Sequence, residues 1–553
     1  MKSKSLKVIP LGGAGEIGKN MTVYQLADEI IVVDAGLMFP DEEMLGVDIV
    51  IPDITYLEDN ADKIRAIILT HGHEDHIGAA PYVLRRVDAP IYGSRLTLGL
   101  LSAKLMEYHL EEVATLKEVA AGDRLQIGGF DIELIRMSHS IPDSFGLAIR
   151  TELGTIVHTS DFKFDYTPVD GKQTDVARLA QLGEEGVRLL LTDCTNIEKV
   201  GHTPSESLVG GTFDQVFADA KGRIVIAAFA SNIHRMQQVY DTAAMYERRV
   251  AVVGRSMAQN SEIAQRLGYL KIPDGASMTL AELNEADPST IVIMTTGSQG
   301  EPLSALTKMA MDEHNRIKIS EGDTVIISAT PIPGNEDLIL RTINRLFKLG
   351  AEVLYDLIAP VHVSGHGNQE DQKLMLNLVR PKYVAPVHGE HRHYAKFVEM
   401  ARTLGFERER IFLLEVGDVL ELTKRTTRVK GKVNAGSVMV DGLGVGDVSD
   451  IVLRDRRHLS QDGVIIVTIT IDQSRGVVLA GPDLISRGFV HPEGAEDLLE
   501  EAKQVVLEEL QSIPKDEISE WATVKSDVRS ALAKFIYERT RRRPMIVPVI
   551  MEI

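Results

Sequence analysis

Residues 66–84 read Ala-Ile-Ile-Leu-Thr-His-Gly-His-Glu-Asp-His-Ile-Gly-Ala-Ala-Pro-Tyr-Val-Leu, and no other stretch limits the fold as much. The β-branched apolar run Ala66–Leu69 predicts a buried strand, and Ile77–Leu84 can start a helix. Thr70–His76 is therefore a strand-to-helix turn that crowds three imidazoles and two carboxylates. Such crowding is costly unless a cation neutralises and orients the groups, and His with Asp is a ligand set for zinc or manganese. A solvated polar turn is the alternative. In an extended segment His71 and His73 point the same way, while Asp75 and His76, at the helix entry, are placed to face a second ion. Two ions a few ångströms apart are the usual device for hydrolysing phosphodiesters.

The glycines before this turn invite a different reading. Gly13, Gly15 and Gly18 satisfy G-x-G-x-x-G after the strand Leu6–Leu11, with Asp34 downstream. A dinucleotide site requires those glycines to open a helix. Met21–Leu26 and Ile30–Asp34 read instead as two strands around a turn, so the expectation is the edge of a β-sandwich. Asp34 then ends a buried strand near the chemistry, or caps the Ala35-Gly36 turn. A mostly helical region is expected over residues 78–115. Strands then return and each delivers a polar residue: Phe130–Met137 leads to His139, Thr155–Ser160 to Asp161, and Val187–Thr192 to Asp193. Rigid strands with such residues at their ends let loops converge at one sheet edge.

From residue 206 strands alternate with helical segments. Arg223–Phe229, Val250–Val253, Thr290–Met294 and Thr324–Ile327 are near-continuous apolar runs, as in a parallel sheet covered on both faces. Small polar loops follow them: 230–235 with Ser231 and Asn232, 254–256, 296–301 with Ser298, and 330–335. Loops at the carboxyl ends of such strands bind ligands, and Gly and Ser expose amides suited to phosphate oxygens; plain turn chemistry is the equal alternative. His362–Gly367 and His388–His393 then bring histidines back. If His388 joins the site begun at His71, an α/β domain is inserted between ligands of one metal fold, and the site lies in the cleft between them. Residues 425–450 look like a linker region. Strands near 463–470, 476–479 and 544–550, with helices near 494–512 and 516–540, suggest a small α+β domain. The Arg539–Arg543 cluster reads as a basic helix end facing its own macrodipole, with RNA contact as the alternative.

A chain of 553 residues should hold more than one domain. No apolar run approaches a membrane span and no signal-peptide apolar segment precedes the first strand, so a cytoplasmic protein with no membrane partner is expected. One cysteine, Cys194, leaves no intramolecular disulfide and no Cys-based zinc finger. A net charge of −20 means that any nucleic acid must be gripped by a local cationic site.

Taken together, Asp34 in Val-Asp-Ala-Gly, the H-x-H-x-D-H turn, His139 in His-Ser-Ile-Pro-Asp-Ser, Asp161 in Ser-Asp-Phe-Lys-Phe-Asp, Asp193, His366 in His-Val-Ser-Gly-His-Gly and His388 in Val-His-Gly-Glu resemble the ribonuclease J family, in the β-CASP branch of the metallo-β-lactamase superfamily. The resemblance covers essentially the whole chain. It implies an α/β protein: a metallo-β-lactamase αββα sandwich (1–205 and 358–430) with an inserted β-CASP α/β domain (206–357), a linker (431–450) and a small C-terminal α+β domain (451–553). It implies that His71, His73 and His139 hold one divalent ion and Asp75, His76 and His388 another, with Asp161 bridging and Asp34 orienting a ligand from behind. Zinc is the expected metal, with manganese as the alternative. Asp193 and His366 correspond to the family's β-CASP pair; His362, Ser364 and Gly365, with the Ser231-Asn232 and Ser298 loops, would bind RNA phosphates. The implied activity is 5′-to-3′ exonuclease action on single-stranded RNA bearing a 5′-monophosphate, with some endonuclease activity, in RNA maturation and mRNA decay. Asp161 and Asp75 would orient the attacking water, and His366, held by Asp193, would be the general acid or a phosphate ligand. A homodimer or homotetramer and association with other RNA-decay proteins are also implied. The alternatives are a β-CASP DNA nuclease and a catalytically weak RNA-binding scaffold. One departure is Asp-Cys-Thr-Asn at 193–196, where the family usually has serine; a thiol is the weaker donor, and Cys194 reads as a packed small residue.

Overall fold

The structure, a computed structural model, describes residues 5–41, 43–301, 303–331, 335–472, 477–489, 492–514 and 521–552. Ile332, Pro333 and Gly334 of one expected phosphate loop, Gly476 and the start of the expected helix at 516 lie outside the described residues. The chain forms two compact units, residues 1–39 with 49–438, and 40–48 with 439–553.

In the first unit two sheets face each other. One has eight strands, in the order Thr427–Lys432, Asp418–Leu422, Leu6–Gly12, Met21–Leu26, Glu29–Val33, Ile64–Leu69, Ile91–Gly93, Leu116–Glu118. The other has six, in the order Tyr383–Val387, Val187–Asp193, Gly154–His158, Phe145–Thr151, Phe130–Arg136, Arg124–Ile127. Alternation along each strand decides what meets what. Val8, Tyr24, Ile31, Val33 and Ile68 turn inward against Phe130, Ile132, Leu147, Ile149, Leu189 and Ala385. Ile9, Val23, Val32, Ile67 and Leu69 turn outward into a core shared with helix Arg95–Glu107 and the inserted domain. Ala148, Val157, Leu190 and Val384 turn out against helices Val176–Glu185, Gln369–Val379 and His391–Thr403. Burying each Val, Leu, Ile or Phe among these contributes about 1.5–3 kcal/mol, and strands covered on both faces must read as the apolar runs seen in the sequence.

Strand direction brings the chemistry to one edge. Gly154–His158, Val187–Asp193 and Tyr383–Val387 run parallel, with Asp193 opposite Val387. Phe130–Arg136 runs the same way because Phe145–Thr151 pairs antiparallel with both it and Gly154–His158. His139, Asp161, Asp193 and His388 therefore leave the six-stranded sheet on one side. In the opposing sheet Glu29–Val33 and Ile64–Leu69 are parallel, so Asp34 and His71 leave together.

The inserted domain is a parallel five-stranded sheet, Arg249–Val253, Ile291–Thr295, Ile224–Ala227, Thr324–Ile327, Glu352–Tyr355. Two expectations need correction. Residues 78–115 contain the strand Ile91–Gly93, parallel to Ile64–Leu69, because Ala89-Pro90 interrupts the helical spacing. The expected linker region is not structureless: Thr427–Lys432 pairs with Asp418–Leu422, and Ser437–Asp441 forms a hairpin with Gly444–Val445. The polar sequence of Thr427–Lys432 hides a strand that is mostly exposed.

In the second unit Val464–Asp472 pairs antiparallel with Val477–Arg487 and parallel with Met545–Glu552. Helices Pro492–Ser512 and Trp521–Thr540 pack on it through Ala502, Val506 and Leu510 and through Val524, Val528, Leu532 and Ile536, residues spaced by four. Arg541 and Arg543 stack on the Tyr537 ring at this helix end.

Candidate metal centre

The strand Ile64–Leu69 ends where Thr70–His76 turns into the short helix Glu74–Ile77. The turn is stapled to the chain leaving Asp34: Asn20 and Ala35 amides donate to the Asp75 and His76 carbonyls at 3.0 and 2.8 Å. Gly36 makes this approach sterically feasible, since a Cβ there would lie 1.6 Å from the Asp75 oxygen. Asp34, Ser160 and His388 all adopt positive φ, at 64°, 53° and 51°. Left-handed backbone at non-glycine residues is strained and gathers at functional sites; here it lies at the strand ends that carry the polar groups.

Among the described residues three groups of possible ligands result: two share Asp161, and the third, Asp193, His366 and His388, overlaps the second at His388. In the first, His71 Nε2 and His139 Nε2 each stand 3.1 Å from His73 Nδ1, and Asp161 Oδ2 lies 3.7 and 3.6 Å from His71 and His139. In the second, Asp161 Oδ2 is 3.2 Å from His76 Nε2 and its Oδ1 3.2 Å from His388 Nδ1, while Asp75 Oδ2 lies 3.2 Å from His388 Nε2. Within each cluster all the ligand atoms lie within 4.8 Å of one another.

The other ring nitrogens are held from behind. His139 Nδ1 donates to the Gly365 carbonyl at 2.8 Å and His76 Nδ1 to Asp34 Oδ2 at 2.8 Å. A carbonyl and a carboxylate only accept, so in both rings Nδ1 carries the hydrogen and Nε2 is the nitrogen aimed inward. Thr70 Oγ1 donates to Asp34 and stands 3.1 Å from His71 Nδ1. Thr195 Oγ1 donates to the His388 carbonyl and stands 3.1 Å from His388 Nδ1, leaving Nε2 of that buried ring without a hydrogen-bond partner. Three nitrogen lone pairs converging within 3.1 Å contacts, and two carboxylates crowded against His76 and His388, are what a bound cation would satisfy. The residues fit divalent ions.

Without a cation the cluster balances itself with protons. Burial drives His71 and His139 well below the ordinary imidazole range and His73 down to about 4. Burial also opposes charge on His388, but Asp161 and Asp75 override it and push the ring up to about 10. Burial would raise Asp161, yet His388 and His76 hold it well below the usual carboxylate range. The site thus separates into neutral imidazoles around His73 and a charged His/Asp group around Asp161.

Next to the clusters, His366 Nδ1 donates to Asp193 Oδ2 at 2.8 Å, and its Nε2 lies 3.9 Å from Asp161. Burial lowers the His366 pKa, but Asp193 and then Asp161 outweigh it, so the net shift is upward. Ser364 Oγ accepts the His366 amide at 3.2 Å. Gly365 passes so close to His139 that an added Cβ would stand 2.5 Å from Cε1. His362 Nδ1 is buried and has no hydrogen-bond partner. Ser231 and Ser298 stand beyond the carboxyl ends of Ile224–Ala227 and Ile291–Thr295, and, among the described residues, neither belongs to the two clusters. Asn232 caps helix Ile233–Met245, its side chain accepting the Arg235 amide at 3.0 Å.

Sequence reading missed Asn20, Thr70 and Thr195. Asn20 Nδ2 lies 3.1 Å from His76 Nε2; its only signal is a polar residue between a glycine loop and a wholly buried strand. The glycine loop itself serves His388: the His388 amide donates to the Gly13 carbonyl at 2.6 Å, and the Gly15 amide to Tyr394 Oη at 2.7 Å. Cys194 is buried, and burial pushes its thiol well up, so it is an inert packing residue.

Four family models match successive parts of the chain: metallo-beta-lactamase superfamily over residues 14–186, ribonuclease J beta-CASP domain over 221–346, Zn-dependent metallo-hydrolase RNA specificity domain over 350–413, and ribonuclease J C-terminal domain over 451–553. The chain is 44% identical to Ribonuclease J2 of Bacillus subtilis over 551 residues, covering 100% of this chain and 99% of that one. It is 46% identical to Ribonuclease J of Thermus thermophilus over 558 residues, covering 99% and 95%. A crystal structure of a protein of unknown function from Enterococcus faecalis superposes with a TM-score of 0.53 at 15% identity, over 76% of this chain and 100% of that one; this likeness concerns the fold alone.

Proposed function

The chain belongs to the ribonuclease J family, and from that premise we propose that its His/Asp centre holds two divalent ions and cuts single-stranded RNA from a 5′-monophosphate end, with some endonuclease activity. It is a metal-dependent, RNA-hydrolysing enzyme. The observation that carries the two-ion reading is the pair of ligand groups that share Asp161, with His71, His73 and His139 on one side and Asp75, His76 and His388 on the other. In this reading His71, His73 and His139 hold one ion, Asp75, His76 and His388 the other, and Asp161 is shared. The metal is zinc, with manganese as the alternative. When bound, the ions acidify a water and neutralise charge on the attacked phosphate.

The protein's own groups do the rest. Asp161 and Asp75 orient the attacking water through their carboxylate oxygens, and Asp34 fixes the His76 ring. His366, held by Asp193 through Nδ1, presents Nε2 to the reacting phosphate and donates a proton to the leaving 3′-oxygen. His362, Ser364 and the Gly365 backbone bind RNA phosphates, with the loops of Ser231, Asn232 and Ser298 continuing that path over the inserted domain. The reading also includes action in the cytoplasm, where RNA is matured and mRNA decays, as a homodimer or homotetramer with other RNA-decay proteins. No described helix is long and apolar enough to cross a membrane.

The test uses metal-reconstituted protein, a 5′-monophosphorylated RNA labelled at its 3′ end, a DNA of the same sequence and a His76→Ala control. Progressive shortening of the RNA from its 5′ end, absent in the control and on DNA, is expected. RNA retained but uncut under zinc, manganese and magnesium alike would overturn the catalytic reading.

A further inference from the structure

Arg235 is wholly buried, and its guanidinium reaches three other segments besides its own helix. Nη1 donates to the Val361 carbonyl at 2.6 Å and to Ser328 Oγ, which itself donates to the same carbonyl at 2.7 Å. Nη2 pairs with Glu206, and Nε donates to Gln238 Oε1 at 3.1 Å. Glu206 continues the chain of charges, with Oε2 3.7 Å from Lys163 Nζ, and its amide donates to Asp165 Oδ2 at 2.9 Å. Lys163 follows Asp161 by two residues, and its amide donates to the Ser138 carbonyl at 2.9 Å, beside His139.

Val361 immediately precedes His362, Val363, Ser364 and Gly365. The far end of that segment is tied to the metal fold, through Gly365 to His139 and through the His366 carbonyl to Asn196 and Thr203. Its near end is held by Arg235 and Ser328. A buried ion pair is weak as a stabilising device, because apolar residues of the same volume often do as well. What they cannot do is fork three donors onto a carbonyl, a hydroxyl and a carboxylate from three segments.

We propose that Arg235, backed by Glu206, is a positioning residue that holds the His362–Gly365 segment in register with the metal centre, so that the segment can read the terminal 5′-phosphate of RNA. The proposal rests on the 5′-end reading above.

Arg235→Lys keeps the charge opposite Glu206 but loses the fork; the double variant Arg235→Met with Glu206→Met removes both charges of the pair and leaves Lys163 its other carboxylate, Asp165, at 3.2 Å. Each is compared with the unchanged enzyme for metal content, for KM and kcat on 5′-monophosphate RNA, and for the same values on 5′-hydroxyl RNA. The expected result is normal metal content and a KM at least tenfold higher on 5′-monophosphate RNA, with cutting of 5′-hydroxyl RNA changed less than threefold. Retained preference for the 5′-monophosphate in both variants overturns the proposal. Equal loss on both RNAs, or loss of metal, also overturns it, since that is the mark of a merely structural residue. An unchanged enzyme that cuts both RNAs alike overturns the 5′-end reading first, and the proposal with it, before any variant is made.

Discussion

Asp34 Oδ2 accepts the Nδ1 proton of His76 at 2.8 Å, and Oδ1 of the same carboxylate accepts the Thr70 amide at 2.8 Å. One buried group thus fixes both a ring and the turn on which that ring rides. Replacing such a support costs about 10 to 100-fold in metal affinity or activity. Asp34→Asn isolates the effect, because asparagine tolerates the φ of 64° found there. Metal titration in a competing chelator should show that loss for the weaker of two ions, with the thermal transition little moved. An unchanged affinity would remove Asp34 from the site.

Gly365→Ala makes a sharper steric demand. The new Cβ would stand 2.5 Å from His139 Cε1 and 2.9 Å from Ser140 Oγ, so either the His139 ring turns away or the Gly365 carbonyl does, and the 2.8 Å bond between them is lost. The expected outcome is a folded protein that binds one equivalent of metal where the unchanged enzyme binds two. Two equivalents bound with unchanged affinity would show that the ring is not held in this way.

Metal binding should release protons. Without a cation His388 is pushed up to about 10, after burial is outweighed by Asp161 and Asp75, so at neutral pH the ring holds a proton that a bound ion must displace. A raised pKa in the metal-free state means that affinity weakens as pH falls below that value, by up to about tenfold per unit for one proton. Calorimetry at pH 7 in buffers of different ionisation enthalpy should report at least one proton released, reduced in His388→Gln. Binding heats independent of buffer would refute the coupling.

Much of this site was legible because metal chemistry uses few residue types and because each of them follows a strand. His139, Asp161 and Asp193 are expected at one sheet edge because each follows an apolar run, with His388 joined to the site only conditionally, and the parallel registers bring these strand ends to one side. The glycine loop was legible for a similar reason, since the two strands read after it, Met21–Leu26 and Ile30–Asp34, excluded the helix a dinucleotide site needs. Legibility ends where an element is short or polar. Ile91–Gly93 has three residues, and Thr427–Lys432 is mostly exposed, so neither carries a usable period. Asn20 and Arg235 were unreadable for another reason. Their roles come from partners such as His76 and Val361, 56 and 126 residues away, that no local pattern announces.

The role of His366 can be separated into proton donor or phosphate ligand by changing the leaving group. Asp193 and Asp161 outweigh burial and raise its pKa, which is the direction an acid for the 3′-oxygen requires. General-acid assistance contributes about 10² to 10⁴-fold, and it matters only when the leaving oxygen is basic. His366→Gln should therefore lose that much in kcat on RNA, while a nitrophenyl ester of a nucleoside 5′-monophosphate, whose leaving group departs without a proton, should lose less than about tenfold. The alkaline limb of the RNA profile should vanish in the same variant, because the group whose deprotonation shuts off the acid is gone. If both substrates fall together and KM rises, His366 holds the phosphate through charge, and the proton for the leaving oxygen comes from elsewhere in the site.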